Sequence, residues 1–160
     1  MNKASQVAVV TGSSTGIGFE TSIALARNGF HTYATMRDLN DSNKIIKIAK
    51  NERLPLDVLR LDVTDDNSIK ESIGQIYDKN NRIDALINNA GYALAGPLEE
   101  TSTEEIKAQF ETNFFGAIKT MQSVIPIMRN QKSGKIVNIT SMGGRIAIPL
   151  VQFIMVRNLH

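Results

Sequence analysis

Short apolar runs alternate along this chain with stretches whose apolar residues recur at helical spacing. The runs fall at Gln6 to Val10, Phe30 to Thr35, Leu54 to Val63, Ile83 to Ile87 and Lys135 to Thr140, and each reads as a strand. A helix from Gly16 to Asn28 follows the first run, with Ile17, Ile23, Ala24 and Ala26 on its packed face and Asn28-Gly29 closing it. Asp41-Ser42 opens a second helical stretch bearing Ile45, Ile46, Ile48 and Ala49. Thr64-Asp65-Asp66 caps a third, bearing Ile69, Ile73, Ile76 and Tyr77. Ser102 and Glu105 have the spacing of a capping box and begin a long helix to about Asn130, in which Pro126 predicts a kink or an earlier end. Strands that are apolar throughout, alternating with helices at this spacing, predict an α/β fold: a doubly wound parallel sheet covered on both faces.

Composition narrows the picture without redirecting it. A chain of 160 residues that is 42% hydrophobic and 21% charged is expected to form one soluble domain over residues 1–160. Its formal charge of +2, with Lys and Arg scattered, argues against nucleic acid as a partner. The absence of cysteine removes disulfides, thiolate metal sites and cysteine nucleophiles, and no metal is implied. His31 reads as a surface residue at the start of a strand, and His160 lies far from it. The first apolar run is too short for a signal peptide or a membrane span, so a cytoplasmic location without membrane attachment is expected.

The chemistry begins at Thr11-Gly12-Ser13-Ser14-Thr15-Gly16-Ile17-Gly18, directly after the first strand. Three glycines let the backbone turn sharply and approach a ligand closely, and the helix that follows aims its amides at an anion. A dinucleotide pyrophosphate suits that geometry, although a Gly/Ser turn of this kind can also bind nothing. In a doubly wound sheet, ligands lie beyond the carboxyl ends of the strands. Arg37 lies just past the second strand, Asp62 ends the third, Asn88 to Gly91 follow the fourth and Ser141 follows the fifth, so all five ends converge on one rim. Taken singly, Asp62 also fits the flank of the next helix, Asn113 a helix residue bonded to backbone, and Arg37 a solvated surface residue.

Together these motifs resemble, in order, those of the short-chain dehydrogenase/reductase family of NAD(P)-dependent oxidoreductases, which share the Rossmann fold. Thr11 to Gly18 fits the family's TGxxxGxG turn, Asp62-Val63 its adenine-contacting pair, and Asn88-Asn89-Ala90-Gly91 its NNAG motif. Asn113 falls at the catalytic asparagine, and Thr140-Ser141 at the end of the fifth strand, where the catalytic serine lies. The resemblance implies cofactor contacts at Gly12, Ser14, Thr15, Gly16, Ile17, Gly18, Arg37, Asp62, Val63, Asn89, Ala90, Gly91 and Thr140. It also implies a small alcohol or carbonyl substrate and, for the full-length enzyme, a homo-oligomer. Arg37 favours NADP(H), because a guanidinium can pair with a 2′-phosphate, while NAD(H) stays open beside Asp38. The stretch Tyr33 to Asp38 is similar to the hydroxysteroid and retinol dehydrogenase branch.

The family's chemistry also needs a tyrosine that exchanges the hydroxyl proton and a lysine that lowers its pKa from about 10. In the Tyr-x-x-x-Lys register the chain carries Ile154 and Asn158, neither of which can do this, and no other tyrosine has a lysine four residues on. The chain therefore reads as a short-chain oxidoreductase by descent that is catalytically silent as written. A non-enzymatic dinucleotide-binding module and a non-functional fragment remain open.

Back-translation suggests how the pair could be lost. Restoring one nucleotide near Val151 turns a compatible coding of the tail into LDSIYHGTKFA, which places tyrosine at the position of Ile154 and lysine at that of Asn158. A single-nucleotide deletion is thus expected, leaving five of the family's seven strands with the fifth as an uncovered edge. The resemblance also implies that the helix holding Asn113 loses its partner helix at the dimer interface, so that its exposed apolar face promotes aggregation. Sequencing the gene tests this expectation; downstream frames without Tyr-x-x-x-Lys would exclude it. The isolated chain is expected to lack a sharp cooperative melt, and a sharp calorimetric transition would count against the loss of those elements.

Overall fold

The computed structural model describes residues 5–94 and 97–141, the side chain of Leu98 excepted; Ile154 and Asn158 lie outside the described residues. Among these residues five strands form one parallel sheet: β1 (Val7–Val10), β2 (His31–Met36), β3 (Leu56–Arg60), β4 (Ala85–Asn88) and β5 (Lys135–Asn138). Their order is β3-β2-β1-β4-β5. The chain moves one way from β1 through β2 to β3 and then crosses back to place β4 on the other side of β1. Val9 is paired with Tyr33 on one flank and with Leu86 on the other, so β1 is the centre of the sheet. The doubly wound parallel arrangement expected from the apolar strands is therefore present.

Helices cover both faces. On one, α1 (Gly16–Arg27) and α2 (Asn43–Glu52) bring Phe19, Ile23 and Ile45 against Ala34 and Met36. On the other, α3 (Asp66–Asn80) and α5 (Gly116–Gln131) bring Ile69, Ile73, Ile76, Val124 and Met128 against Val7, Val9, Tyr33 and Leu86. Each buried Ile or Val contributes roughly 1.5–3 kcal/mol relative to exposure, which outweighs the modest intrinsic preferences of these segments. The buried residues of α5, Gly116, Thr120, Val124 and Met128, form one stripe at four-residue spacing. Gly116 is part of the packing, because a Cβ there would meet Val63 Cγ2 at 2.7 Å.

Several boundaries differ from the sequence reading. β2 begins one residue late, at His31, and β3 covers only the middle of the expected Leu54 to Val63. Arg53, at φ 54°, ends α2, and the Leu61 amide makes its bond to the Met36 carbonyl just past the strand, so Asp62 lies in a turn and does not end β3. A short 3-10 turn, Leu39–Ser42, precedes α2, with the Asp38 carboxylate accepting from the Asn40 amide. The capping box is present: the Ser102 hydroxyl accepts from the Glu105 amide, and the Glu105 carboxylate accepts from the Ser102 amide.

The expected long helix is instead α4 (Thr103–Phe110), a π-helical turn at Glu111–Phe115, and α5. Pro126 does not end it, since α5 runs on to Gln131. His31 does start its strand but is half-buried, with one ring nitrogen 3.0 Å from Asp57 Oδ2 and the other 3.1 Å from Asn80 Oδ1. Val137 in β5, the edge strand among the described residues, is exposed, as is Ile139 just beyond it. No helix among the described residues is long and apolar enough to cross a membrane.

At the amino-terminal ends of the strands, Asp84 joins three strands of the sheet, β1, β5 and the β4 that it immediately precedes. Its carboxylate accepts from the Val7 amide at 2.7 Å and from Arg82 at 2.6 and 2.8 Å, and its carbonyl accepts from the Lys135 amide. The side chain is only 6% exposed. Burial pushes its pKa up, but the Arg82 hydrogen bonds, the Val7 amide and the Arg82 charge together hold it below the ordinary carboxylate value. A carboxyl depressed when folded stabilises the fold fully above its unfolded pKa of about 3.9, and that contribution is lost as pH falls through the lower folded value. Asp84→Asn is expected to cost about 2 kcal/mol at neutral pH and much less in strong acid. Urea denaturation followed by circular dichroism across that pH range checks both.

Candidate functional site

Beyond the carboxyl end of β1, the chain turns through Gly12 at φ 66° and Gly16 at φ 59° before entering α1. Gly12 and Gly18 are fixed by close approach. A Cβ on Gly12 would meet Ala90 Cα at 2.7 Å, and one on Gly18 would meet the Gly12 carbonyl oxygen at 2.3 Å and Asn89 Nδ2 at 2.4 Å. Behind the turn, the Ser22 hydroxyl donates to the Gly18 carbonyl and to Ser13, which in turn donates to the Val10 carbonyl. The start of α1 is thereby tied to the end of β1.

The turn is tied equally to the loop after β4. Asn89 Nδ2 donates to the carbonyls of Thr11 at 3.0 Å and Gly12 at 2.9 Å, while the Thr11 hydroxyl accepts from the amides of Asn89 and Ala90, both at 3.0 Å. These bonds lie where the strand order reverses, the position at which doubly wound sheets bind ligands.

Two grooves open from this junction. One, of about 260 Å³, has Gly12, Ser14, Arg37, Asp62 and Val63 in its walls. The other, of about 480 Å³, is walled by Ser14 to Ile17, Asn89 to Gly91, Asn113, Thr140 and Ser141. All the expected site residues within the described part of the chain thus line one or both grooves, apart from Gly18, which underlies them. Asp62 Oδ1 accepts from the Thr64 amide at 2.9 Å and hydroxyl at 2.7 Å. Burial raises the pKa of this carboxyl, but the two Thr64 bonds and the charges of Arg37 and Arg60 bring it below the usual value, so it is an anion at neutral pH. No ion pair holds Arg37 among the described residues.

Asn113 sits in the π-helical turn, and its amide grips the backbone of Tyr92: Oδ1 accepts from the Tyr92 amide at 3.0 Å and Nδ2 donates to the Tyr92 carbonyl at 2.8 Å. Gln109, only 1% exposed, donates to the same carbonyl at 3.1 Å. Gly91 leaves room for this grip, since a Cβ there would meet Asn113 Oδ1 at 3.0 Å. Gln109 and Tyr92 were not singled out in the sequence. The available signal was a glutamine one helical turn before Asn113, on the same face, in a helix whose other polar residues face water.

Comparison with known proteins places this geometry. A family profile described as short chain dehydrogenase matches residues 6–153. The 3-ketodihydrosphingosine reductase of Bacteroides thetaiotaomicron is 38% identical over 148 residues, which make up 92% of this chain and 51% of that protein. Human retinol dehydrogenase 8 is 37% identical over 149 residues, 90% of this chain and 47% of the relative. Among solved structures, an F189W actinorhodin polyketide ketoreductase with NADPH superposes with a TM-score of 0.87 at 27% identity, covering 94% of this chain and 59% of that one. The chain spans about half the length of the curated relatives it matches. On the profile match and these identities, the chain belongs to the short-chain dehydrogenase family.

Proposed function

We propose that this chain is the cofactor-binding part of an oxidoreductase that moves hydride between NADP(H) and an alcohol or carbonyl compound, and that its own sequence binds the cofactor without turning it over. The observation that carries the reading is the close seat of the Gly12–Gly18 turn on Asn89 and Ala90, a cradle that a single Cβ would fill. Glycine there keeps backbone amides accessible to a pyrophosphate at the start of α1. Bound in the family's manner, the dinucleotide supplies the hydride donor or acceptor.

The chain's own residues divide the remaining work. Gly12, Ser14, Thr15, Gly16, Ile17 and Gly18 hold the pyrophosphate turn; Asp62 and Val63 receive the adenine, with Arg37 at the adjoining ribose. Asn89, Ala90, Gly91 and Thr140 form the floor of the wider groove. Ser141 would orient the substrate oxygen. Asn113 acts through Tyr92, holding the wall of that groove in place. Proton transfer needs a phenol and a nearby cation, and Ile154 and Asn158 supply neither. Family complexes such as that of the polyketide ketoreductase with NADPH favour NADP(H), as does Arg37. A cytoplasmic location and assembly of the full-length form as a homo-oligomer belong to the same reading.

NADPH is expected to bind, with enhanced nicotinamide fluorescence, and to remain unoxidised in the presence of carbonyl compounds. Gly18→Ala is expected to weaken binding at least about tenfold, because the new methyl cannot fit without moving Gly12 or Asn89. Circular dichroism identifies loss of fold. Binding by both this chain and a frame-restored version without turnover in either would replace the enzyme reading with a binding module; turnover by this chain would overturn its catalytic silence.

A further inference from the structure

The turn from Gly12 to Gly18 contains no basic residue, so cations near it must come from other elements. Two do. Arg37, exposed just past β2, lines the smaller groove, and Lys44, exposed on the first turn of α2, lines a separate depression of about 490 Å³ with Ser14, Thr15, Gly16 and Phe19. Ser14 is the one residue that lines this depression and both grooves. The short connection from β2 to α2, fixed by the bond from the Asn40 amide to Asp38, presents the two cations from its two ends.

Neither cation is consumed by an ion pair among the described residues; the pairs engage Arg27, His31, Lys79, Arg82 and Lys119. Lys44 Nζ instead rests over the Phe19 ring, 4.9 Å from its centroid. A ring face steadies an ammonium while leaving it most of its charge and its donors. Acidic groups also face these openings: Asp38, Asp41 and Asp62 beside Arg37, and Glu20 beside Lys44. A phosphate monoester, a dianion near neutral pH, would meet that negative field with Arg37 alone only partly compensated. A ribose diol would need no second cation.

We infer that Lys44 is a second cation for the ribose 2′-phosphate of NADP(H), acting with Arg37 from the opposite side of Ser14. This inference rests on the dinucleotide reading above and adds to it a specificity-determining residue on a different helix. A lysine suits the role, since its ammonium is a compact charge on a flexible stem that can leave the Phe19 ring for a phosphate oxygen.

Fluorescence titration of the chain with NADPH and with NADH tests it, using Lys44→Ala, Lys44→Arg and Arg37→Ala. Lys44→Ala is expected to weaken NADPH binding by about tenfold and leave NADH binding unchanged, with Lys44→Arg recovering most of the loss. The loss should shrink as salt rises. A preference for NADPH that survives Lys44→Ala but falls in Arg37→Ala overturns the part assigned to Lys44 and leaves the NADP(H) reading standing. Equal loss of NADPH and NADH in Lys44→Ala also overturns it, since the lysine would then act on the fold or the pyrophosphate. Wild-type chain that binds the two dinucleotides equally overturns the NADP(H) preference together with Lys44, and failure to bind either overturns the dinucleotide site.

Discussion

The amide of Asn89 makes two bonds that a hydrocarbon side chain could not replace. By donating to the carbonyls of Thr11 and Gly12, it satisfies backbone acceptors that a tight turn would otherwise leave unpaired where the sheet changes direction. Thr11 returns the favour through its hydroxyl, which accepts two amides from the β4 loop. The turn after β1 and the loop after β4 therefore behave as one unit, and both grooves are cut along its surface. Gly18 completes the constraint, because α1 can start this close only if the residue facing Asn89 has no side chain.

The two ends of the sheet are specialised differently. At one, Asp84, just before β4, holds β1 through a carboxylate largely withdrawn from water and β5 through its backbone carbonyl, an arrangement suited to stability. At the other, polar side chains satisfy backbone groups while leaving a polar surface open for a ligand. Rigid strands connect the two, so the position of the rim is inherited from packing well away from it: Val7 and Val9 lie in the same cluster as Ile73 and Val124.

Much of this was legible in the residues themselves. Apolar strands between amphipathic helices specified the layered fold, and the motifs at the strand ends come together at one rim, where they line two grooves. The limits of β3 were harder to read, because Leu61 and Val63 are as buried as strand residues while lying beyond its last residue. Hydrophobicity reports burial, and burial does not stop where pairing stops. Asn113 was open to two readings, a helix residue bonded to backbone or a site residue. Its side chain is bonded to the Tyr92 backbone and also borders the wider groove, so the alternatives were compatible. Gln109 escaped notice because a polar residue on a helix is ordinarily exposed, and its bond to the Tyr92 carbonyl is a tertiary contact that the local sequence does not reveal.

The π-helical turn at Glu111–Phe115 acts as a phase adjustment between two helices with separate obligations. α4 and the turn must aim Gln109 and Asn113 at Tyr92, whereas α5 must aim Val124 and Met128 at the sheet. One residue of a regular helix corresponds to a rotation of about 100°, so the wider turn lets both directions be met by a continuous backbone. Removing a single residue from this segment would leave its composition almost unaltered and still misdirect one of the two faces. Chain length here is under a constraint as strict as residue identity, whatever each side chain of the segment touches.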